Sequence, residues 1–267
     1  MLRFLLNHYS VWAIMVMTAV LFLGLTVMMY FIIRRFGKSF LVTKDASYIS
    51  GTITICNELG SVILAFVIVL MWQDFATLQQ GVLHEVKSIS KLMVFADLLP
   101  NKDTEVLQKG LIIYTDSIIH DEWPKMEQGH ESELSAAALA NLEKIIFHLN
   151  QTNSFSELYQ AEMVNDLNEI ISTRNDRLGH LDSTLPNFVR VIIFLILMGI
   201  LFFLCLLEAK QKTREMLFIM ALSVLLGLTF SLILIMDYPF SGEFSISSYP
   251  FQEEILHQPT WTLNKGV

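Results

Sequence analysis

Four long apolar stretches with almost no charge constrain the fold of this chain more than any other feature. A helix needs about 20 consecutive apolar residues to cross the hydrocarbon core of a bilayer, and each stretch reaches roughly that length. The sequence therefore predicts an integral membrane protein with four transmembrane helices. The stretches run from Tyr9 to about Ile33, from about Ile49 to Trp72, from Leu185 to Leu207 and from Met216 to Met236.

Lys and Arg residues are concentrated in two short connections, one between spans one and two and the other between spans three and four. Short loops rich in Lys and Arg stay in the cytoplasm, and a four-span chain places both connections on one side. The pattern predicts that the two termini and the central segment lie outside the cytoplasm. The basic residues are Arg34, Arg35, Lys38 and Lys44 in the first connection and Lys210, Lys212 and Arg214 in the second.

Between spans two and three lies a segment, 73–185, with the composition of a soluble domain. It holds 18 acidic residues and 8 Lys or Arg, a net charge of −10, whereas the whole chain carries −8. Phosphate binding requires clustered Lys and Arg. The charge of this segment therefore argues against a nucleic-acid partner.

Apolar residues recur in this segment at three- or four-residue steps, which is typical of amphipathic helices. We expect span two to continue as one long helix to Pro100. Three more helices are expected, at about Asp103–Glu122, ending before Trp123 and Pro124, at Ser132–Asn150 and at Ser154–Leu181. The predicted fold is an all-α membrane protein with an extramembrane helical bundle inserted between spans two and three. The predicted divisions are 1–72 for two spans, 73–185 for the bundle, 186–236 for two spans and 237–267 for a C-terminal tail that forms a packed loop or a flap.

A polar stripe follows one face of span two. Ser50, Thr54, Asn57 and Ser61 recur at steps of four, three and four residues, with Glu58 beside them, and such spacings share one helix face. Small and hydroxylated residues favour close helix packing, whereas a Glu in hydrocarbon is costly and usually faces protein or water. The stripe predicts a packing face or the lining of an ion path, and the two are compatible in an oligomer.

One pair of charged residues is expected at the outer membrane boundary. Arg190 lies near the start of span three and Asp237 directly follows span four. The predicted topology places both at the same end of the spans, where they would be able to pair. The alternative for Arg190 is a side chain that reaches the interface by itself.

A second set of charged residues lies in the bundle. Arg174 and Arg177 share a face of its last helix because they are three residues apart, and Asn168 lies on the same helix. With acids such as Glu122, they predict either a solvated, salt-bridged face or a polar network that belongs to an ion vestibule.

The sequence has no pattern typical of catalysis or metal binding. Both cysteines, Cys56 and Cys205, lie in apolar runs, which favours buried thiols over a disulfide or a metal site. His120, His148 and His180 lack the spacing of metal ligands. We identify no phosphate-binding glycine loop and no nucleophile motif. We therefore expect no enzymatic activity, no metal and no cofactor.

Several short motifs are spread over roughly Gly51 to Phe251. They are Leu64-Ala65-Phe66-Val67 with Trp72, Glu122-Trp123-Pro124, Leu167-Asn168-Glu169 with Arg174 and Arg177, Asp237-Tyr238-Pro239-Phe240-Ser241-Gly242, and Pro250-Phe251. Taken together, these motifs resemble the bestrophin-like family of bacterial and plant membrane proteins. The resemblance implies an ion channel related to the bestrophins, which are anion-selective homo-oligomers. The acidic segment would instead concentrate cations near an outer mouth.

Two functional hypotheses follow. The first is a homo-oligomeric ion channel in a bacterial inner membrane in which span two lines the path, with the lipid bilayer, other copies of the chain and inorganic ions as partners. The second is a membrane-anchored binding or sensor module that does not conduct. The environment of the polar stripe in an oligomer separates them, because a stripe packed dry inside one subunit favours the sensor, and one that faces a symmetry axis or a hydrated cavity favours the channel.

Overall fold

The computed structural model of the protein describes residues 2–36, 46–152, 157–206 and 212–257, and the secondary structure in these ranges is helical. The predicted all-α fold is confirmed. The helices are α1 (Leu2–His8), α2 (Val11–Phe36), α3 (Ala46–Ala96), α4 (Asn101–Ser117), a π-helical turn (Ile118–Glu122), α5 (Trp123–Glu127), α6 (Glu133–Thr152), α7 (Glu157–Gly179), α8 (Asn187–Leu206), α9 (Lys212–Met236) and α10 (Tyr249–His257).

The chain divides into two compact units. The membrane unit comprises Met1–Asp74, Ser183–Tyr238 and Gly242–Phe244. The helical unit comprises Phe75–Asp182, Pro239–Ser241 and Ser245–Val267. The first boundary falls inside α3, directly after Asp74, where the apolar part of that helix gives way to charged sequence.

Four helices within the described ranges are long and apolar enough to cross a membrane, as the sequence predicts. The segments are Val11–Ile33 in α2, Ile53–Ala96 in α3, Asn187–Cys205 in α8 and Met216–Met236 in α9. The described segment of α3 is far longer than the roughly 20 residues that a span requires. Only its first part, up to Trp72, is free of charged residues other than Glu58.

Within the membrane unit, α2 and α9 pack closely because small residues meet at their crossing. A Cβ atom at Gly227 would lie 2.9 Å from the Cα of Ala19, so no side chain fits there. The hydroxyls of Thr26 and Ser223, both buried, are 2.7 Å apart and share a hydrogen bond between the two helices. Small side chains and hydroxyl pairs are the usual means by which helices associate in membranes.

The helical unit is built from the second part of α3 with α4, α6 and α7, and its core is apolar. Its buried residues include Leu92, Leu107, Leu142 and Ile170, one from each of these helices. The Ser132 hydroxyl accepts a hydrogen bond from the Ser135 N–H (3.0 Å) and so caps the start of α6, where the sequence predicts that a helix begins. The predicted helix start at residue 154 lies outside the described residues.

One boundary differs from the sequence prediction. We expected a helix to end before Trp123 and Pro124, but the chain stays helical through the π turn into α5. Pro124 occupies the first turn of α5, where a missing N–H breaks no intrahelical hydrogen bond of that helix. Pro124 therefore does not end the helix, because the π turn changes the hydrogen-bond register just before it and α5 begins there.

The C-terminal tail packs against the helical unit. Phe240 and Phe251 are buried, and their ring centroids lie 6.1 and 5.6 Å from that of Trp123. The indole N–H of Trp123 donates to the carbonyl of Ile246 (3.1 Å). Phe240, Ile246 and Phe251 are thus part of the packed core of this unit, and residues 258–267 lie outside the described part of the chain.

Candidate functional site

Four charged side chains lie together in the interior of the helical unit. Glu85 comes from α3, Glu122 from the π turn, and Arg174 and Arg177 from α7, and all four are buried. Two carboxylates and two guanidinium groups give the cluster no net charge. Buried charges are tolerated when they are paired, and each of the four lies within ion-pair distance of an oppositely charged side chain of the cluster.

Arg177 joins the two carboxylates. Its Nη2 donates to both oxygens of Glu85 at 3.0 and 3.1 Å. Its Nη1 lies 2.8 Å from Oε1 of Glu122. One guanidinium therefore bridges α7 to both α3 and the π turn, and a planar, permanently charged group is suited to that role.

Arg174 completes the cluster from one turn earlier on α7. Its Nε donates to Oε2 of Glu122 (3.0 Å), and its Nη2 contacts the same oxygen. The Tyr114 hydroxyl of α4 donates to Oε1 of Glu85 (2.8 Å). Glu122 and Glu85 are thereby each held by two side chains, and the network links α3, α4, the π turn and α7.

The surroundings shift the titration of three members of the network. Burial raises the pKa of Glu85, and the opposing effects of Arg177 and the Tyr114 hydrogen bond do not cancel it. Burial also raises the pKa of the Tyr114 hydroxyl well above its ordinary value, and the neighbouring Glu85 carboxylate acts in the same direction. Burial by itself would lower the pKa of Arg177, but Glu85 and Glu122 outweigh it and raise that pKa. The hydroxyl is therefore neutral and the guanidinium charged near neutral pH.

An aromatic wall adjoins Arg177. The guanidinium carbon lies 4.8 Å from the ring centroid of Trp123 and 6.0 Å from that of Phe251, within the range of cation–π attraction. The motif residues Trp123 and Phe251 are therefore explained by packing around the charged cluster. Their position also shows how the tail is fixed to the bundle.

The sequence grouped Asn168 with Glu122, Arg174 and Arg177, and the structure brings only the last three together. Asn168 lies on an exposed face of α7, away from the cluster. Sequence reasoning missed Glu85 and Tyr114. The spacing of these two residues could have indicated their burial. Glu85 follows the core residues Leu78 and Val82 at steps of four and three residues. Tyr114 follows Leu107 and Leu111 at the same steps. A polar residue at a core position of an amphipathic helix requires a partner.

In the membrane unit, the polar stripe of α3 lies mostly at the surface of the chain. Thr54, Glu58 and Ser61 are exposed and Asn57 is half-buried, while the side chain of Ser50 lies outside the described residues. The Ser61 hydroxyl donates to the backbone carbonyl of Asn57 (2.8 Å). For Glu58, no hydrogen bond or ion pair is found within the described part of the chain.

A different stripe of α3 packs inside the unit. Ile53, Gly60, Leu64 and Met71 are buried, and a Cβ atom at Gly60 would lie within 3.1–3.3 Å of two isoleucine side chains of α8. Successive side chains of a helix are about 100° apart around its axis, so this apolar stripe lies beside the polar stripe. The apolar stripe of α3 therefore packs within the chain, and the polar stripe faces outward.

Arg190 and Asp237 lie at one end of α8 and α9. The Nε of Arg190 is 3.4 Å from Oδ2 of Asp237, and the other carboxylate oxygen accepts the Leu185 N–H (2.7 Å). Asp237 is fully buried. The aspartate therefore ties the start of α8 to the end of α9.

Comparison with known proteins identifies the family. The model of the bestrophin-like domain matches residues 20–251, which is most of the chain. The chain belongs to the bestrophin-like family. This confirms the resemblance drawn from the sequence motifs and extends it from Gly51 back into α2.

Solved structures share the fold of this bestrophin-like chain at low sequence identity. A bacterial bestrophin homologue from Klebsiella pneumoniae, phased on zinc, matches with a TM-score of 0.62 at 12% identity over 90% of this chain and 95% of that chain. A point variant of a Klebsiella pneumoniae homologue gives 0.66 at 11% over 90% and 96%. A crystal structure described as that of a membrane protein gives 0.67 at 10% over 90% and 95%. No curated protein matches the chain significantly.

Proposed function

We propose that several copies of this bestrophin-like chain assemble in a bacterial inner membrane and conduct ions along a path lined by the polar stripe of α3. In this proposal Glu58, Asn57 and Thr54 face the ions, with Ser50 and Ser61 above and below them on the same face. The observation that carries it is the outward position of Glu58 on a helix that is long and apolar enough to span the membrane.

The physical argument concerns the surroundings of Glu58. A carboxylate that faces lipid is costly, so ionisable residues in membrane helices face protein or a water-filled cavity. No described group of its own chain pairs with Glu58, and the buried side of α3 is already occupied by Ile53, Gly60 and Leu64. A symmetric assembly around the stripe would supply water on one side and neighbouring helices on the other.

The alternative is a membrane anchor that carries a sensor or binding module. That hypothesis requires the stripe to be packed dry inside one subunit, and exposed Thr54, Glu58 and Ser61 do not favour it. The interior cluster of the helical unit does not favour it either. Glu85 and Glu122 already have guanidinium partners, so they offer no charge to a ligand.

The orientation belongs to the proposal as well. The basic connections, which include Arg35, would lie in the cytoplasm, and the acidic segment 73–185 would lie outside. Negative charge at the outer mouth would raise the local concentration of cations. A cysteine placed in the exposed turn at Gln128 should then react with a membrane-impermeant maleimide added to intact cells from the periplasmic side, and reaction only after lysis would reverse the orientation.

The test of conduction is ion flux through purified protein in liposomes. We expect the wild-type protein to dissipate a salt gradient and Glu58→Gln to lower the ratio of cation to anion permeability, because a ring of carboxylates favours cations. Glu105→Gln, which removes an exposed acid of α4, is the matched control and should leave the ratio unchanged. Absence of flux under every ionic gradient would leave only the anchor hypothesis.

Cysteine accessibility locates the path on α3. In a Cys56→Ala, Cys205→Ala background, Ser61→Cys should react with a charged methanethiosulfonate, and the reaction should block flux. Leu59→Cys is the control, because Leu59 is exposed on nearly the opposite side of the helix and would face lipid or a neighbour. Block at Leu59 with none at Ser61 would place the path on the other face.

A further inference from the structure

A groove of about 500 Å³ opens on the membrane unit between α8, α9 and α1. Val191, Phe194, Phe230 and Leu234 give it apolar walls, and Arg190 with Asn187 supplies its polar lining. The polar residues lie in the first turn of α8. From Asn187 to Phe194 the helix rises about 10 Å, so the groove is polar at the helix end and apolar deeper along the spans.

The floor of the groove is rigid and aromatic. The rings of Phe194 and Phe230 pack at a centroid distance of 5.9 Å, and both contact Phe22 of α2, at 6.2 and 5.5 Å. Such a cluster does not collapse to fill the space. Some apolar occupant is therefore required on the open side, and in a membrane span that side faces hydrocarbon.

The end of the unit that holds Arg190 has the features of a membrane–water interface. Leu6 of α1, Ile14 of α2 and Ile235 of α9 pack in one cluster, so these segments share one end of the unit. Beside them, Tyr9 and Trp12 are exposed. Exposed Tyr and Trp side chains at span ends mark the level of the lipid headgroups.

Arg190 presents a positive group at that level. Its Nη2 donates to the Ser183 hydroxyl (2.9 Å) and to Oδ1 of Asn187 (2.6 Å), which fixes the guanidinium in place. Its counter-ion Asp237 is fully buried, whereas the Arg190 side chain is 17% exposed. Among the described residues none accepts a hydrogen bond from Nη1. The accessible part of the ion pair is therefore its cationic edge.

We infer that this groove binds one anionic phospholipid, with its phosphate on Arg190 and one acyl chain along Val191, Phe194 and Phe230. A guanidinium edge matches the geometry of a phosphate, and basic sites between membrane helices recognise anionic headgroups. The apolar length below the arginine matches a chain that hangs from that headgroup. This inference needs only the membrane location of the chain and does not rest on ion conduction.

The test is native mass spectrometry of the detergent-purified full chain titrated with phosphatidylglycerol or phosphatidylethanolamine of identical acyl chains. We expect one tightly bound phosphatidylglycerol per chain, at least tenfold tighter than phosphatidylethanolamine. Arg190→Gln should reduce the preference about tenfold, since a hydrogen bond to a charged group is lost. Arg35→Gln, which removes an exposed charge at the other end of α2, should keep it.

A second variant keeps the test decisive if Arg190→Gln folds poorly. Val191 is 56% exposed, so Val191→Trp fills the groove from outside without disturbing the core and should displace the lipid. Equal binding of the two phospholipids, or wild-type binding by Val191→Trp, would overturn the inference. Binding of oleate with the same dependence on Arg190, but no preference among phospholipids, would overturn it too, because the ligand would then be a fatty acid.

Discussion

Glu58 and Glu85 are two carboxylates on one helix, and the two units of the chain treat them in opposite ways. Glu85, in the helical unit, is buried and contacts both Arg177 and Tyr114 of its own chain. Glu58, in the membrane unit, is exposed, and nothing in the described ranges pairs with it. The comparison teaches that the helical unit pairs its buried carboxylate within one chain, whereas the described residues supply no partner to the carboxylate in the membrane part of α3.

The difference also separates residues that hold the fold from residues that are available for function. Removal of one member of a complete buried network leaves the others uncompensated. Removal of an exposed charge without a partner costs the fold little. Substitutions in the helical unit should therefore act mainly on stability, and those on the polar stripe of α3 should act mainly on assembly and flux.

The largest expected effect is at Arg177. Arg177→Met leaves Glu85 and part of Glu122 buried without a positive partner, and we expect a loss of about 3–5 kcal/mol in unfolding free energy. The measurement is reversible unfolding of the full chain in mixed micelles, followed by helical circular dichroism. Lys125→Met is the control, because its ion pair with Asp121 is partly exposed, and it should change stability little. If Arg177→Met lost no more unfolding free energy than Lys125→Met, the buried network would not stabilise the helical unit, and the contrast between the two units would fail.

An intermediate effect is expected inside the membrane unit. Gly227→Leu forces a side chain against the backbone of α2, 2.9 Å from the Ala19 Cα, and should cost about 1–3 kcal/mol by overpacking. Gly24→Leu is the matched control on α2, since a Cβ atom there meets nothing within 4 Å. The same unfolding assay compares them. An equal change in both variants would mean that the α2–α9 crossing does not decide the result, because the gain in helix propensity from Gly to Leu is the same at both positions.

Much of the fold was predictable, because hydrocarbon imposes a strong constraint on sequence. The four spans and the helical insertion follow from the length of the apolar stretches and the 3.6-residue periodicity. The helix boundary near Trp123 was wrong, because proline after a π turn begins a new helical segment instead of ending one. Local residue preferences do not reveal such a change of register.

The candidate site was predictable only in part. Helix spacing was enough to group Arg174 with Arg177, and Glu122 was named as an acid that could pair with them. The pairing of α3 with α7 depends on tertiary packing, so the sequence did not distinguish Glu85 from the other acids of its segment. Asn168 was named with them because it lies on the same helix, but its side chain is exposed, and a shared helix does not indicate which face is buried. The groove at Arg190 was not predictable, since it is formed by helices that are distant in sequence.

The smallest expected effect concerns Asp121, a partly exposed carboxylate of the helical unit that has partners within its own chain. Hydrogen bonds from Lys125, at 2.7 Å, and from Ser132 lower the pKa of Asp121 below its ordinary value of 3.8. Because this pKa is lower in the folded than in the unfolded chain, the contribution of Asp121 to stability is present above pH 3.8 and is lost as the pH falls through the folded value. Asp121→Asn should therefore flatten the acid end of the stability–pH profile measured by the same unfolding assay. An acid limb that is unchanged in Asp121→Asn would show that the helical unit gains no stability from pairing this carboxylate, and the contrast between the two units would be weaker.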